Sequence, residues 1–104
     1  MEHKRTIVFI CTGNTCRSPM AKAIFSDKLP ERYCDNFEVE SAGIMPQEGE
    51  SAAENSVLAL AQIGIDITNH SAQKITKDML SEAELFVCMS AEHQAVLEKM
   101  GVSP

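Results

Sequence analysis

The chain reads as an α/β fold built on a parallel sheet, and three observations predict it. Thr6-Ile7-Val8-Phe9-Ile10 is an unbroken apolar, β-branched run, the pattern of a central strand covered on both faces. Strand-type and helix-type segments alternate along the chain in the order β-α-β-α-(α)-β-α. The changes of type fall at capping and turn residues, and strands joined through helices run parallel.

The elements follow in order. After the first strand, Ser18 is placed to N-cap a helix. Pro19 then falls at its first position, where the missing N–H has no intrahelical partner. Met20, Ala23, Ile24 and Phe25 form the inner face of that helix, and Leu29-Pro30 ends it. Phe37-Glu38-Val39-Glu40-Ser41 alternates at period two and predicts a second strand, closed by Gly43. The stretch from Ile44 to Glu50, with Pro46 and Gly49, predicts a surface loop. Ser51 and Glu54 make an S-x-x-E capping box ahead of Val57, Leu58, Leu60, Ala61 and Ile63, and Gly64 stops that helix. Thr76 can cap a short helical turn through Met79-Leu80. Leu85-Phe86-Val87-Cys88-Met89 predicts a third, buried strand. Ser90 caps a last helix through Val96-Leu97, ended by Gly101 and Pro104.

At 104 residues the chain is expected to form one domain spanning 1–104, since domains usually run to about 100–150 residues. Hydrophobic residues at 44% and charged residues at 23% exclude a disordered chain. The run Ile7–Ile10 is too short to cross a bilayer or to serve as a signal segment, so no membrane association is expected and the cytoplasm is the predicted location. A net charge of −6 argues against nucleic-acid binding, so any anionic ligand must be caught locally. Cys11, Cys16, Cys34 and Cys88 contain no C-x-x-C and read as free thiols, with Cys34 an incidental loop thiol and Cys88 inert core. His3, His70 and His93 are scattered, so no metal site and no cofactor are expected.

The chemistry is concentrated in Cys11-Thr12-Gly13-Asn14-Thr15-Cys16-Arg17-Ser18-Pro19, between the first strand and the first helix. Ligands of parallel sheets bind beyond the carboxyl ends of the strands, where this loop must lie. Gly13 permits a left-handed turn and Asn14 tolerates one, so the N–H groups from Thr12 to Ser18 can converge as an anion nest. The positive end of the following helix adds to the same field. Arg17 can grip two oxygens of a phosphate with its planar fork. Cys11 at the mouth of these donors is expected to act as a thiolate nucleophile beneath a bound phosphoryl group. From the residues alone, Ser41 and His70 satisfy backbone groups at element ends. Cys16 serves equally as loop packing or as a redox thiol.

This loop is similar to the Cys-x-Gly-Asn-x-Cys-Arg-Ser-Pro signature of the low-molecular-weight protein phosphatases. The resemblance continues through Ser41-Ala42-Gly43, Gly64-Ile65-Asp66, His70 with Ile75-Thr76, and Cys88-Met89. It implies a flavodoxin-like fold and metal-free hydrolysis through a cysteinyl-phosphate on Cys11. Arg17 is then the phosphate clamp and Ser18 the aid to the leaving thiolate. Thr12, Gly13, Asn14, Thr15, Cys16, Arg17 and Ser18 would line the phosphate. Asn14, Ser41 and His70 would support the loop, and Cys16 would be the redox partner of Cys11. The implied partners are a phosphorylated protein as substrate and inorganic phosphate as product or inhibitor.

Two departures shape the expectation. Thr12 stands where the tyrosine phosphatases of the family carry a larger aliphatic residue. The bacterial arginine phosphatases carry threonine, so phosphoarginine is the expected substrate class and phosphotyrosine the alternative. The family also continues with a further strand, an Asp-Pro motif supplying the general acid and a closing helix, none of which is found in these 104 residues. The domain is therefore expected to be C-terminally incomplete, its turnover impaired and its open sheet edge prone to self-association. Two other readings remain. A thioredoxin-coupled arsenate reductase uses a very similar Cys-x₅-Arg loop, but it wants paired cysteines after the third strand, where only Cys88 is present, and commonly Gln where Pro19 stands. A non-catalytic phosphate-binding module would need no acid.

Overall fold

The strand-type segments form a three-stranded parallel sheet of order β2-β1-β3. The computed structural model describes residues 4–33 and 35–101, so His3, Cys34 and Pro104 lie outside the described residues. β1 (Arg5–Cys11) is central, with β2 (Phe37–Gly43) on one side and β3 (Ala83–Cys88) on the other. The helices are α1 (Arg17–Lys28), α2 (Glu54–Ala61), α3 (Lys77–Glu82) and α4 (Ala91–Lys99). A single 3₁₀ turn, Glu31–Tyr33, lies between α1 and β2 and was not foreseen in the sequence.

β1 owes its central place to apolar residues on both faces. Val8 and Ile10 are fully buried and pack with Ala42, Ile75 and Leu97. Phe9 points the other way and meets Phe25 of α1, with ring centroids 5.7 Å apart. Burying each such side chain stabilises the fold by about 1.5–3 kcal/mol. Because β1 runs on to Cys11, paired with Gly43 of β2, the loop that follows emerges at the carboxyl edge of the sheet.

The predicted caps divide into two groups. Thr76 accepts from the Met79 N–H and Ser90 from the His93 N–H, as expected at the starts of α3 and α4. Gly64 takes a left-handed φ of 79°, and the Ile65 N–H bonds Leu60 O at 2.9 Å, closing the turn after α2. The Ser51–Glu54 box does not form: α2 starts at Glu54, with Ala53 at its N-cap and no side-chain cap. The Ala53 N–H is bonded instead to Thr15 O at 2.8 Å, which ties this segment to the loop after β1. Ser18 is likewise no N-cap. α1 starts at Arg17, after Cys16, with no side chain capping it.

Two burial expectations are corrected. β3 is an edge strand, with Leu85 53% exposed, because nothing among the described residues pairs beyond it. On α1, Phe25 faces the sheet while Ile24 is exposed. Among the described residues no helix is long and apolar enough to cross a membrane.

Candidate active site

The loop from Thr12 to Cys16 is organised around Asn14. This side chain is wholly buried and its backbone is left-handed at φ 54°; Gly13, expected to share that conformation, does not adopt it. Asparagine tolerates this region because its short amide can bond locally. Its Nδ2 donates to Ser18 Oγ at 2.8 Å and to Ser41 Oγ at 3.0 Å, while Oδ1 accepts from the Gln73 N–H at 2.9 Å. His70 Nε2 lies 2.6 Å from Asn14 O, and a carbonyl only accepts, so this ring nitrogen carries the proton. The sequence-predicted supports Asn14, Ser41 and His70 thus meet in one network.

The sulfur of Cys11 sits on the same network. Ser18 Oγ is 2.8 Å from Cys11 Sγ and accepts from Asn14 Nδ2, which leaves one lone pair and its single proton for the sulfur; it accepts from a thiol there and donates to a thiolate. The Asn14 N–H also points at Cys11 Sγ, at 3.2 Å. Ser18 has therefore exchanged the expected capping role for a place beside the sulfur. The N-terminal N–H groups of α1 stay without a side-chain cap.

Arg17 is exposed at the first position of α1, and no carboxylate among the described residues pairs with it. Gly13 and Thr15 are half-buried, and Thr12 and Cys16 are exposed. Ser56 of α2, itself buried, donates to Cys16 Sγ at 3.2 Å. Cys88, expected as inert core, packs half-buried against the main cluster, and burial pushes its thiol up. Among the described residues no three His, Cys, Asp or Glu side chains are arranged as metal ligands.

A family model described as "Low molecular weight phosphotyrosine protein phosphatase" matches residues 6–103. The chain belongs to this family. It is 36% identical over 95 residues to the low molecular weight protein-tyrosine-phosphatase Ptp of Acinetobacter johnsonii, covering 91% of this chain and 63% of that one. It is 37% identical over 91 residues to a protein-arginine-phosphatase of Bacillus subtilis (strain 168), covering 88% of this chain and 59% of the relative. An arsenate reductase of Bacillus cereus (strain AH187) is 40% identical over 96 residues, 92% of this chain and 66% of its own length. Among solved structures, the low molecular weight protein tyrosine phosphatase from T. tengcongensis superposes with a TM-score of 0.82 at 37% identity, over 92% of this chain and 65% of that one. The YwlE arginine phosphatase from Geobacillus stearothermophilus gives 0.82 at 34%, over 93% and 60%. The fold is thus the flavodoxin-like one of the family, and this chain spans about three-fifths to two-thirds of its relatives' lengths.

Four residues of this phosphatase-family site escaped sequence reasoning. Gln73 braces the loop twice, through its N–H on Asn14 Oδ1 and its Nε2 on Ser41 O at 2.9 Å. Gly43 lets β2 pass against the loop, since a Cβ there would lie 2.7 Å from Thr12 O. Ser56 holds Cys16, and His93 reaches Thr12 Oγ1 through Nε2 at 2.9 Å. Only Gly43 carried a local signal, as the glycine that closes a strand.

Proposed function

We propose that this chain is a phosphatase that works through a cysteinyl-phosphate on Cys11, with phosphoarginine in proteins as its substrate class. The observation that carries the reading is the buried sulfur of Cys11 within hydrogen-bond distance of both Ser18 Oγ and the Asn14 N–H, at the uncapped start of α1; as a thiolate it accepts from both. A phosphoryl group seated there is held by the loop N–H groups and by the Arg17 fork, which neutralise the charge spread over its oxygens. Cys11 attacks phosphorus in line with the departing nitrogen or oxygen; the S–P bond forms as the P–N or P–O bond breaks, and the departing atom takes up a proton from solvent, since these 104 residues carry no Asp-Pro acid. Water then attacks phosphorus; the S–P bond breaks and the Ser18 hydroxyl steadies the returning thiolate. Inorganic phosphate, the product, fits the same nest and is expected to inhibit.

Thr12 supports the arginine reading: a hydroxyl-bearing, modest wall suits a guanidinium, whereas an aliphatic one suits a phenyl ring. The similar protein named protein-arginine-phosphatase points the same way. Oxidation of Cys11 by a peroxide, which is reduced to water or an alcohol, gives a sulfenic acid with which Cys16 would condense, releasing water and leaving a reversible disulfide. The edge of β3 that pairs with nothing among the described residues, with Leu85 exposed, is the surface through which we expect the chain to associate with a second strand.

Likeness to proteins named arsenate reductase supports a second reading, thioredoxin-dependent reduction of arsenate. One experiment decides. The chain and its Cys11→Ser variant are given phosphoarginine and phosphotyrosine peptides, and the phosphoenzyme is trapped by acid quench. Label on Cys11 and phosphate release that vanish in Cys11→Ser are expected. Arsenate reduction without phosphate release would establish the second reading.

A further inference from the structure

His93 is the buried polar side chain that the chemistry above leaves unused. It is 4% exposed, in the first turn of α4, where its own N–H is held by Ser90 Oγ. Its ring crosses to the other end of the sequence and sets Nε2 2.9 Å from Thr12 Oγ1. Among the described residues, His93 Nδ1 is the buried side-chain polar atom with no hydrogen-bond partner.

That orphan bears on the tautomer, which decides whether His93 Nε2 or Thr12 Oγ1 is the donor. A neutral imidazole has one N–H and one lone pair, and a buried N–H without a partner is rarer than an under-satisfied acceptor. The lone pair belongs on Nδ1, so Nε2 carries the proton and donates to Thr12 Oγ1. The hydroxyl proton of Thr12 and its remaining lone pair are then left for the open side of the loop, where Thr12 is exposed.

The bond also chooses between two faces of Thr12. Threonine is branched at Cβ, so turning χ1 exchanges its hydroxyl and its methyl group. Of the staggered positions, the one that keeps Oγ1 on His93 Nε2 is selected. We propose that His93 is a positioning residue which locks the Thr12 rotamer at the rim of the phosphate loop and so sets leaving-group selectivity. The selectivity half rests on the phosphatase reading; the rotamer half does not. With the lock in place the departing group meets an oriented hydroxyl that can bond a guanidinium. Without it, methyl and hydroxyl interchange and the rim becomes more tolerant of an aromatic ring.

The test uses the chain as it stands, with His93→Phe, His93→Gln and Thr12→Val singly, and both His93 variants again on Thr12→Val. Glutamine can place an amide N–H near the position of Nε2; phenylalanine keeps the ring without the donor. Three-bond couplings to the Thr12 methyl report χ1, imidazole ¹⁵N shifts report the tautomer, and kcat/KM on phosphoarginine and phosphotyrosine peptides gives the selectivity ratio. Expected are a proton on Nε2, one Thr12 rotamer in the parent and averaged couplings in His93→Phe. The ratio should move by about tenfold towards phosphotyrosine, the scale of one hydrogen bond at a pocket wall. It should recover in His93→Gln, and His93→Phe should add nothing on Thr12→Val. A proton on Nδ1, an unchanged Thr12 rotamer, or an equal shift in the Thr12→Val background would each overturn the proposal. The tautomer is read in the parent chain and so decides even where phenylalanine is not accommodated. A parent that hydrolyses neither peptide, even when extended with an Asp-Pro-bearing tail, and does not hydrolyse nitrophenyl phosphate either, ends the phosphatase reading and the selectivity half, while couplings and tautomer still judge the lock.

Discussion

Replacing Gly43 by alanine adds one methyl group where the loop after β1 leaves no room. Its Cβ would lie 2.7 Å from Thr12 O, 3.1 Å from Asn14 N and 3.2 Å from Asn14 Cβ. A relaxed contact between carbon and a carbonyl oxygen is about 3.3–3.6 Å, so the Thr12 carbonyl must move by roughly 0.6–0.9 Å. β2 cannot yield instead. The Gly43 N–H donates to Gln73 O at 2.8 Å, its carbonyl accepts from the Ile75 N–H at 3.0 Å, and it pairs with Cys11. Gly43 does not have a positive φ, so alanine adds a contact and no backbone strain. The displacement therefore falls on Thr12 to Asn14, the segment that aims an N–H at Cys11 Sγ. Overpacking of this kind costs about 1–3 kcal/mol of stability. Moving a reacting group by nearly an ångström costs on the order of 10² in rate. The chain has no tryptophan and a single tyrosine, so far-ultraviolet circular dichroism in urea is the suitable stability assay. Calorimetric titration with phosphate and hydrolysis of nitrophenyl phosphate read the site. Gly43→Ala is expected to fold, to unfold earlier in urea, to bind phosphate at least about tenfold more weakly and to lose about 10² in kcat/KM. Phosphate affinity within about twofold of the parent, equal to the tolerance expected at a site away from such contacts, would refute the argument.

Asn14→Ala removes three side-chain hydrogen bonds at about 0.5–1.5 kcal/mol each and puts alanine in the left-handed region at about 1–2 kcal/mol, so urea unfolding should show a loss of about 3–6 kcal/mol. A loss under about 1 kcal/mol would mean that the network can be rebuilt without the amide. Thr12→Ile should shift the ratio of kcat/KM from phosphoarginine towards phosphotyrosine by about 1–3 kcal/mol; an unmoved ratio removes the case for the arginine substrate. Iodoacetate at neutral pH, followed by peptide mapping, should alkylate Cys11 before Cys88, and phosphate should protect Cys11 alone. Burial raises the Cys88 thiol, which therefore stays protonated and unreactive to higher pH; alkylation of Cys11 indifferent to phosphate would contradict the site. These 104 residues contain no Asp-Pro, and a general acid typically contributes about 10²–10⁴-fold. A polypeptide of these residues should thus lag a version extended with an Asp-Pro-bearing tail far more on phosphoamino acids than on nitrophenyl phosphate. Equal rates on phosphoamino acids would place the acid among residues already present.

The loop was legible because nine consecutive residues carry it, and the strands and the caps at Thr76 and Ser90 because their signals are local. What was not legible arrives from elsewhere in the chain. Gln73 reaches Asn14 from 59 positions away and His93 reaches Thr12 from 81, and no periodicity or spacing encodes such a meeting. The false capping box shows the converse. Ser51 and Glu54 have the right spacing, but the Ala53 N–H is taken by Thr15 O, and the helix starts three residues after Ser51. Local propensity lost there to a tertiary hydrogen bond that anchors the candidate site.

Ser18 is where the two kinds of reasoning collide. As a serine before a proline and an apolar face it reads as an N-cap, a role that needs its oxygen turned to the helix N–H groups. A hydroxyl has one proton and two lone pairs, and here Asn14 Nδ2 uses one lone pair while the rest of the hydroxyl serves Cys11 Sγ. The residue is fully buried, and its oxygen cannot turn back without leaving the sulfur with one hydrogen bond fewer. The helix start that loses its cap is the one that the proposed chemistry keeps open to an anion. The departure from the local rule and the demand of the proposed chemistry therefore fall on the same atoms.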